Sequence, residues 1–287
     1  DGSDGLWHSA DPQNLTPCPM NGYENPDIPE GINVTQEHPL KEFGQLVIGV
    51  TALIIILALA FSELGAYAAR HLTLEQEVAL AHRMLPAMWT ETAAEPADQA
   101  ERKHLQELAD RLARHMAIPA AMPVTVHYSA EPVVNAMATL GGHIVVYQGL
   151  LDATKDSETA LAMVMAHELA HIKLRHPATA MGRGFAVALL LSTFAGLGDN
   201  VMQGWANSVG TLTALRYSRE QEAAADSLAL ETVYREYGTV KGAEIFFEHA
   251  SAEDNGLTPP AILSTHPSHE ERIRKIQNFA AKESGAE

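Results

Sequence analysis

Cysteine is nearly absent from this chain, because Cys18 is the only one in 287 residues. An intrachain disulfide is therefore impossible, and a zinc ion could not be held by a cluster of thiolates. Basic residues are also scarce: 19 Lys and Arg stand against 36 Asp and Glu, which gives a formal net charge of −17. This balance argues against a nucleic-acid partner, since the phosphate backbone is bound by basic surfaces.

Lysine and arginine are missing altogether from residues 1–40, which contain seven acidic residues and six prolines. Such a segment has too little apolar surface to offset the entropy lost when a chain becomes ordered. We predict that residues 1–42 form an acidic, proline-rich disordered tail.

No charged residue occurs from Leu46 to Phe61, and this apolar run reaches about 19 residues when it is extended back to Phe43. A run of this length can cross a bilayer, so we predict a transmembrane anchor over residues 43–69, with lipid contact through Leu46–Phe61. One alternative is a buried core helix, which the lack of a polar face disfavours. The other is a signal peptide cleaved near Ala58-Leu59-Ala60, which the preceding acidic segment disfavours.

The most informative motif lies at residues 167–171, where the sequence reads His-Glu-Leu-Ala-His. If the segment is helical, positions i and i+4 share a face and both imidazoles can reach one metal ion. Glu168 points about 100° away from the first histidine, which places its carboxylate beside the open position of the metal. A zinc ion there would lower the pKa of a bound water to about 7, and the carboxylate could then take its proton. The pattern indicates a hydrolytic zinc site, provided that a third ligand exists.

The residues before this motif indicate a helix that enters it from a buried core. The segment Ala160–Ala166 is uninterrupted apolar sequence, and Asp156 and Ser157 are candidate N-caps. Because the chain has 14 histidines, the motif could also arise by chance, and its histidines could be ordinary surface residues. Buried histidines and a buried glutamate need partners, and a metal ion supplies them.

The third ligand distinguishes between classes of zinc peptidase. Leu174 and Pro177 occupy the positions at which a metzincin has its glycine and its third histidine, so that class is excluded. His176 is one residue out of that register. A carboxylate from a later helix is the alternative.

The segment Tyr217–Asp226 contains the candidate carboxylates. Glu222 and Asp226 are one helical turn apart on one face, so one could bind the metal while the other orients a histidine ligand. Glu220 is a rival ligand, but it lies about 200° around the helix from Glu222. A solvated helix start capped by Ser218 would give the same pattern without a metal.

Four sequence blocks, in this order, resemble peptidase family M48, the group that includes the HtpX-type and CAAX-prenyl-type zinc proteases. They are Asn135–Ala138, the helix from His167 through Arg175 and His176, Ser218–Asp226, and Thr265–Ser268 with Arg272 and Ile273. The similarity extends over residues 75–280. The resemblance implies an α+β, predominantly helical fold: a zincin-type (gluzincin) catalytic domain with a small β-sheet over residues 70–287, preceded by one transmembrane helix.

The resemblance also implies roles for the residues of the metal site. Three of them would bind one zinc ion: His167, His171 and Glu222. Glu168 would be the general base, and Asp226 would orient a histidine ligand.

Other matching residues would contact the substrate. His266 and Arg272 would lie near the scissile carbonyl and stabilise the developing oxyanion. His266 could instead be an ordinary loop histidine, and Arg272 could cap the last helix. Asn135 and Ala136 would pair with an extended peptide by strand addition at a sheet edge.

These expectations predict a membrane-anchored zinc endopeptidase, and the resemblance to family M48 implies that it hydrolyses peptide bonds of extended or misfolded membrane and envelope proteins. The alternative is a zinc-containing adaptor or chaperone that binds extended polypeptides without cleaving them, although such a protein would have no use for the Glu168 carboxylate. Lys41 and Arg70 flank the apolar run, so the charge rule barely selects an orientation. A single N-terminal anchor in a bacterium would place the catalytic domain in the periplasm.

Periodicity predicts the elements around these motifs. Helices are expected at Leu74–Trp89, Ala97–Met116 and Ser218–Tyr234, and strands at Val124–Tyr128 and His143–Tyr147. Phe185–Phe194 is an apolar run of about ten residues, which is too short to span a bilayer. We expect a core helix there, and contact with the membrane surface is the alternative.

Overall fold

The computed structural model describes residues 39–84, 96–194, 217–248 and 269–284, together with Gly204. The chain divides into two compact units, residues 1–50 and 51–287. Helices span Pro39–Arg70 (α1), Leu74–Met84 (α2), Pro96–Met116 (α3), Gln148–Thr154 (α4), Glu158–Lys173 (α5), His176–Phe194 (α6), Arg219–Tyr237 (α7) and His269–Ser284 (α8). Strands span Thr125–Ser129 (β1), Ala136–Ala138 (β2) and His143–Tyr147 (β3). The predicted α+β class, mostly helical with a small sheet, is confirmed.

The three strands form one sheet in the order β1-β3-β2. β1 is parallel to β3, and β2 is antiparallel to it. Side chains alternate along the central strand, so Ile144 and Val146 join the main core while Val145 packs on the opposite face. The outer edge of β1 is covered by the Gln106 side chain of α3, which accepts from Val126 N at 2.8 Å and donates to Val124 O at 3.1 Å. This amide occupies backbone groups that an edge strand would otherwise leave open.

Helix α5 passes through the centre of the core. Thirteen consecutive residues, Ala160–Ile172, are buried, and the helix packs against α3, α7 and β2. Its N-cap is Ser157, whose side chain accepts a hydrogen bond from Ala160 N. Of the two candidate N-caps, Asp156 and Ser157, the structure therefore selects the second. A helix that is apolar on every side is stable only inside a protein core or a membrane, and α5 lies in a protein core.

Helix α1 is the one element among the described residues that is long and apolar enough to cross a membrane. It is 32 residues long, and it begins at Pro39, a residue type favoured in the first helical turn. The predicted anchor over residues 43–69 lies within it. Residues 39–42, which the sequence predicts as part of the disordered tail, are instead helical. The rest of the predicted tail, residues 1–38, lies outside the described part of the chain.

An ion pair between half-buried Arg175 and buried Glu77 connects the end of α1 with α2 and with the junction between α5 and α6. Arg175 adopts a left-handed backbone conformation with φ of 57° at this junction. Its Nε donates to Glu77 Oε2 at 2.8 Å, and its Nη1 donates to the carbonyl oxygens of Leu72 at 2.8 Å and Arg70 at 3.2 Å. Glu77 is 3% exposed and also accepts from Gly141 N at 3.4 Å.

We expect Glu77→Ala to lower the free energy of unfolding by about 3–5 kcal/mol, because it leaves the Arg175 guanidinium without its carboxylate partner. Denaturant unfolding of the detergent-solubilised chain measures the change. Glu107→Ala is the matched control, since the Glu107–Lys103 pair is exposed and its ion-pair distance is 3.9 Å. Equal effects of the two substitutions would contradict the structural role of Glu77.

Two histidines on the sheet face opposite the main core are held neutral. Nε2 of His127 lies 3.0 Å from Nδ1 of His143. Burial, His143 and Arg102 lower the pKa of His127 to about 4, and burial together with His82 lowers the pKa of His143. Protonation of either ring would place a positive charge beside groups that repel it.

The free energy of unfolding should therefore decrease as the pH falls from about 6.5 towards 4, because the unfolded chain binds protons that the folded chain rejects. Replacing His127 with glutamine should flatten this dependence. The measurement is denaturant unfolding at several pH values, with His104→Gln, an exposed histidine on α3, as the control. An unchanged slope in His127→Gln would contradict the assignment.

Candidate metal centre

Helix α5 carries the histidine and glutamate side chains of the predicted motif. His167, Glu168 and His171 are all buried, with 3%, 0% and 0% exposure. The two histidines lie one turn apart on the same face, and their ring centroids are 4.6 Å apart. The regular helix therefore presents two imidazoles side by side, as the spacing predicts.

Helix α7 brings two carboxylates to the same place. A capping box starts this helix: the Ser218 side chain accepts from Gln221 N, and the Gln221 side chain accepts from Ser218 N. This start sets Glu222 and Asp226 on the buried face that packs against α5. Glu220, the rival ligand, is exposed.

Three ligand atoms converge on one point. Nε2 of His167 lies 2.9 Å from Nε2 of His171 and 3.3 Å from Oε2 of Glu222. Nε2 of His171 lies 3.6 Å from Oε1 of Glu222. Within the described part of the chain, these are the only three His, Cys, Asp or Glu side chains whose ligand atoms all lie within 4.8 Å of one another.

These separations fit a single metal ion. Ligands at about 2.0–2.1 Å from a tetrahedral zinc ion are about 3.3 Å from one another, which is close to the observed spacings. Two imidazole nitrogens and one carboxylate oxygen also match the donor set of a catalytic zinc site. The residues present could therefore hold such an ion without rearrangement of their helices.

Charged side chains contact the candidate ligands His167 and Glu222. Oδ1 of Asp226 lies 3.0 Å from Nδ1 of His167 and 2.7 Å from Nε of Arg272, and Nη2 of Arg272 donates to Glu222 Oε2 at 2.9 Å. Burial raises the pKa of Asp226, but His167, Arg272 and Lys275 outweigh it and hold the pKa below its usual value. Burial and Arg272 lower the pKa of His167, but contacts with Asp226 and Glu222 outweigh them, so this pKa is raised.

The second histidine is held by two residues whose roles the sequence did not indicate. Nδ1 of His171 and Nδ1 of His176 are joined by a hydrogen bond of 2.9 Å, and the Tyr217 ring stacks on His171 with centroids 4.1 Å apart. Burial lowers the pKa of His176 to about 4, so its ring is neutral and its Nδ1 can accept a hydrogen bond from Nδ1–H of His171. Burial raises the pKa of Tyr217 well above its usual value. No helical spacing pairs positions 171 and 176, because the left-handed residue Arg175 turns the chain back between them.

The edge strand β2 contacts Glu168 directly. Ala138 N donates to Glu168 Oε2 at 2.6 Å. Tyr147 N donates to Asn135 O at 3.2 Å and Thr139 N donates to His143 O at 2.8 Å, so the backbone groups of residues 135 and 139 face β3. In an antiparallel pair the intervening residues, Ala136 and Ala138, then direct their N–H and C=O groups away from β3. The groups of β2 that are directed away from β3 are therefore those of Ala136 and the carbonyl of Ala138, and both residues are buried.

Of the two residues predicted near the scissile carbonyl, the structure describes only Arg272. His266 lies outside the described residues. Arg272 is 2% exposed, packs with its guanidinium 4.9 Å from the centre of the Phe247 ring, and is directed at Glu222 and Asp226.

Comparison with known proteins agrees with this geometry. The sequence profile of Peptidase family M48 matches residues 99–280, which is more than half of the chain. The chain belongs to this family. M48 members are metal-dependent peptidases, and the matched region contains both helices of the candidate metal centre.

Several M48 relatives are similar over their peptidase regions. The chain is 29% identical to "Metalloendopeptidase OMA1, mitochondrial" of Danio rerio over 203 residues, 65% of this chain and 41% of the relative. It is 28% identical to "Metalloprotease YcaL" of Escherichia coli over 153 residues, 52% of this chain and 59% of the relative. It is 31% identical to "Beta-barrel assembly-enhancing protease" of Escherichia coli over 160 residues, which are 51% of this chain and 32% of the relative.

The chain therefore spans less than two thirds of the length of these relatives. Family membership supports a metalloprotease, and the candidate membrane-spanning helix α1 supports association with a membrane.

The Asp226→Asn substitution should weaken metal binding by about 10–100-fold, because the amide no longer provides the charge that orients and polarises the His167 ring. The measurement is a competition titration of the metal-free protein with a chromophoric chelator. Glu220→Gln is the control, because Glu220 is an exposed carboxylate on the same helix. Unchanged affinity in Asp226→Asn would remove Asp226 from the metal centre.

Proposed function

We propose that this M48 peptidase is a membrane-anchored zinc endopeptidase that cleaves extended polypeptide chains. The observation that carries the proposal is the convergence of His167, His171 and Glu222, with the carboxylate of Glu168 next to them on α5. We assign one zinc ion to these three ligands. When bound, zinc supplies a Lewis acid that activates water at neutral pH and polarises the substrate carbonyl.

Glu168 is the general base in this proposal. Its Oε2 accepts from Ala138 N at 2.6 Å, which fixes the carboxylate between α5 and the edge strand. From this position Glu168 takes a proton from the attacking water and later delivers it to the leaving amine. A carboxylate placed in this way has no function in a protein that only binds peptides, which favours a peptidase over the zinc-containing adaptor.

Asp226, His176 and Tyr217 act as positioning residues for the two imidazoles. Asp226 fixes the ring of His167 from the Nδ1 side, and His176 does the same for His171. Tyr217 covers the flat face of the His171 ring. Ligand rings that are held at their second nitrogen lose little freedom when a metal binds, so affinity is gained.

The substrate in this proposal is a polypeptide in extended form. β2 is a three-residue edge strand, and the backbone groups of Ala136 point away from the sheet towards the side on which Glu168 lies. A peptide that adds to this edge would be bound through its main-chain hydrogen bonds, so recognition would depend little on the sequence of its side chains. Misfolded membrane and envelope proteins supply such chains, and we propose them as the substrate class.

Three further assignments stay predictions. Asn135 would assist strand addition, although its carbonyl is already bonded to Tyr147 N. His266 and Arg272 would stabilise the oxyanion, and Arg272 also holds Glu222 in place through the 2.9 Å contact. The periplasmic location of the catalytic domain is likewise a prediction.

The Glu168→Gln substitution should reduce cleavage of an unfolded protein by about 10²–10⁴-fold, because the amide cannot take a proton from water. Zinc content should stay at one ion per chain, because Glu168 is not a ligand. Cleavage of fluorescein-labelled casein and metal analysis of the same samples provide the two readouts. Glu158→Gln, at the exposed start of α5, is the control.

Equal cleavage by wild type and Glu168→Gln would rule out the proposed chemistry. Retention of casein binding without cleavage in the wild-type protein would instead favour the adaptor function.

A further inference from the structure

Helix α6 continues from the metal centre along α1, in the direction of the apolar run. Arg175, just before α6, bonds to the carbonyls of Arg70 and Leu72. Further along, Gly182 approaches Gly65 so closely that a Cβ atom on Gly182 would lie 2.5 Å from Gly65 O. Successive residues along α6 therefore contact progressively earlier residues of α1, so the two helices are antiparallel.

Small residues make this approach close. A Cβ atom built on Gly65 would lie 2.2 Å from Gly182 O and 2.7 Å from the Cβ of Ala186, and one on Gly182 would lie 2.8 Å from the Cβ of Ala69. Backbones that touch in this way are typical of helix pairs that associate without a hydrophobic driving force, as in lipid. Packing of this kind alone does not identify a lipid environment, so the polar groups of the two helices are decisive.

The charged residues that border the apolar segments of α1 and α6 lie side by side. Glu63 is the first charged residue after the apolar run of α1, and Arg183 is the last charged residue of α6. Their side chains form an ion pair with Nη2 of Arg183 3.0 Å from Glu63 Oε1. Beyond this pair neither Gly184–Phe194 nor Leu46–Ser62 contains a charge, so the pair marks a common polar boundary.

The residues of α6 beyond that boundary expose apolar side chains, as a surface in contact with lipid does. Phe185 is 43% exposed and Leu189 is 46% exposed. The hydroxyls of Ser192 and Thr193 both donate to the Leu189 carbonyl, at 2.9 Å and 2.8 Å, so these polar groups are satisfied inside the helix. Back-bonding of this type is what hydroxyl side chains need where water is absent.

We propose that the C-terminal half of α6, residues 184–194, enters the bilayer beside α1, with lipid acyl chains against Phe185 and Leu189. The eleven residues after Arg183 extend about 16 Å, roughly half of the hydrocarbon thickness. The exposed apolar surface of α6 is thereby continuous with that of α1, where Leu53 is 55% and Leu59 is 64% exposed. This proposal goes beyond the peptidase function and rests on α1 crossing the bilayer.

One consequence is the height of the metal centre above the membrane. His176, the first residue of α6, bonds to the ligand His171, and seven residues separate it from Arg183. Seven helical residues rise about 10 Å. The active site is then held within about two helical turns of the lipid surface, where chains that emerge from the bilayer are within reach.

The test uses the full chain in phosphatidylcholine vesicles, with Cys18 replaced by serine and one nitrobenzoxadiazole probe attached at each of four positions in turn. The variants are Phe185→Cys and Leu189→Cys on α6, Leu53→Cys on α1 as the lipid reference, and Ser227→Cys, at an exposed position of α7, as the water reference. Quenching by lipids with a nitroxide on the acyl chain is compared with quenching by aqueous iodide. We expect the two α6 probes to be quenched by the nitroxide within about twofold of position 53, and to be shielded from iodide.

Three results would overturn the proposal. Iodide quenching at positions 185 and 189 equal to that at position 227 would place α6 in water. Protection from both quenchers would mean that protein, not lipid, covers this face. Iodide access at position 53 would remove α1 from the bilayer. None of these readouts depends on peptide cleavage, so failure here is distinguishable from failure of the Glu168→Gln test.

Discussion

Burial of the Glu222 carboxylate between two imidazoles is the constraint on which the remainder of the domain depends. A carboxylate that is 4% exposed is strongly destabilising unless cations or donors surround it. Arg272 provides one cation from α8, and the ligand atoms of His167 and His171 provide a position for a second. The two histidines come from α5 and the arginine from α8, so these two helices have to pack in one register against α7 for this carboxylate to be tolerated.

Local patterns could predict the parts of the site that depend on helical periodicity alone. Once α5 and α7 are helices, the i, i+4 spacing brings His167 beside His171 and sets Glu222 and Asp226 on one face. The helical angle of about 200° between Glu220 and Glu222 excludes both from binding one ion, but which of the two faces α5 is a matter of packing, and the structure buries Glu222 and exposes Glu220. The strands β1 and β3 and the membrane-spanning length of α1 are likewise properties of continuous stretches, whereas the sheet itself is expected from the family resemblance.

Contacts that depend on a change of chain direction could not be predicted in this way. His176 is five positions from His171 and would face elsewhere on a continuous helix, yet the left-handed Arg175 returns it to the ligand. The same limit applies to β2, where the pairing register with β3 decides that Asn135 is bonded inside the sheet while Ala136 is directed outwards. A strand three residues long contains too little alternation for its register to be read from the sequence.

The junction at Arg175 connects the end of α1 with the candidate metal centre through side-chain contacts as well as through the chain itself. Its guanidinium bonds to the last carbonyl of α1, to the carbonyl of Leu72 just beyond that helix and to the carboxylate of Glu77, and Glu77 in turn accepts from Gly141 N, beyond the edge strand. A displacement of α1 would therefore be transmitted in two directions: through His176 to a metal ligand, and through Gly141 to the strand that orients Glu168. Because a left-handed arginine is strained on its own, these contacts are also what keeps the turn in place. The end of α1, the candidate ligand His171 and the edge strand are thus connected through one polar network, in which Leu72 and Glu77, just beyond α1, provide the shortest contacts to Arg175.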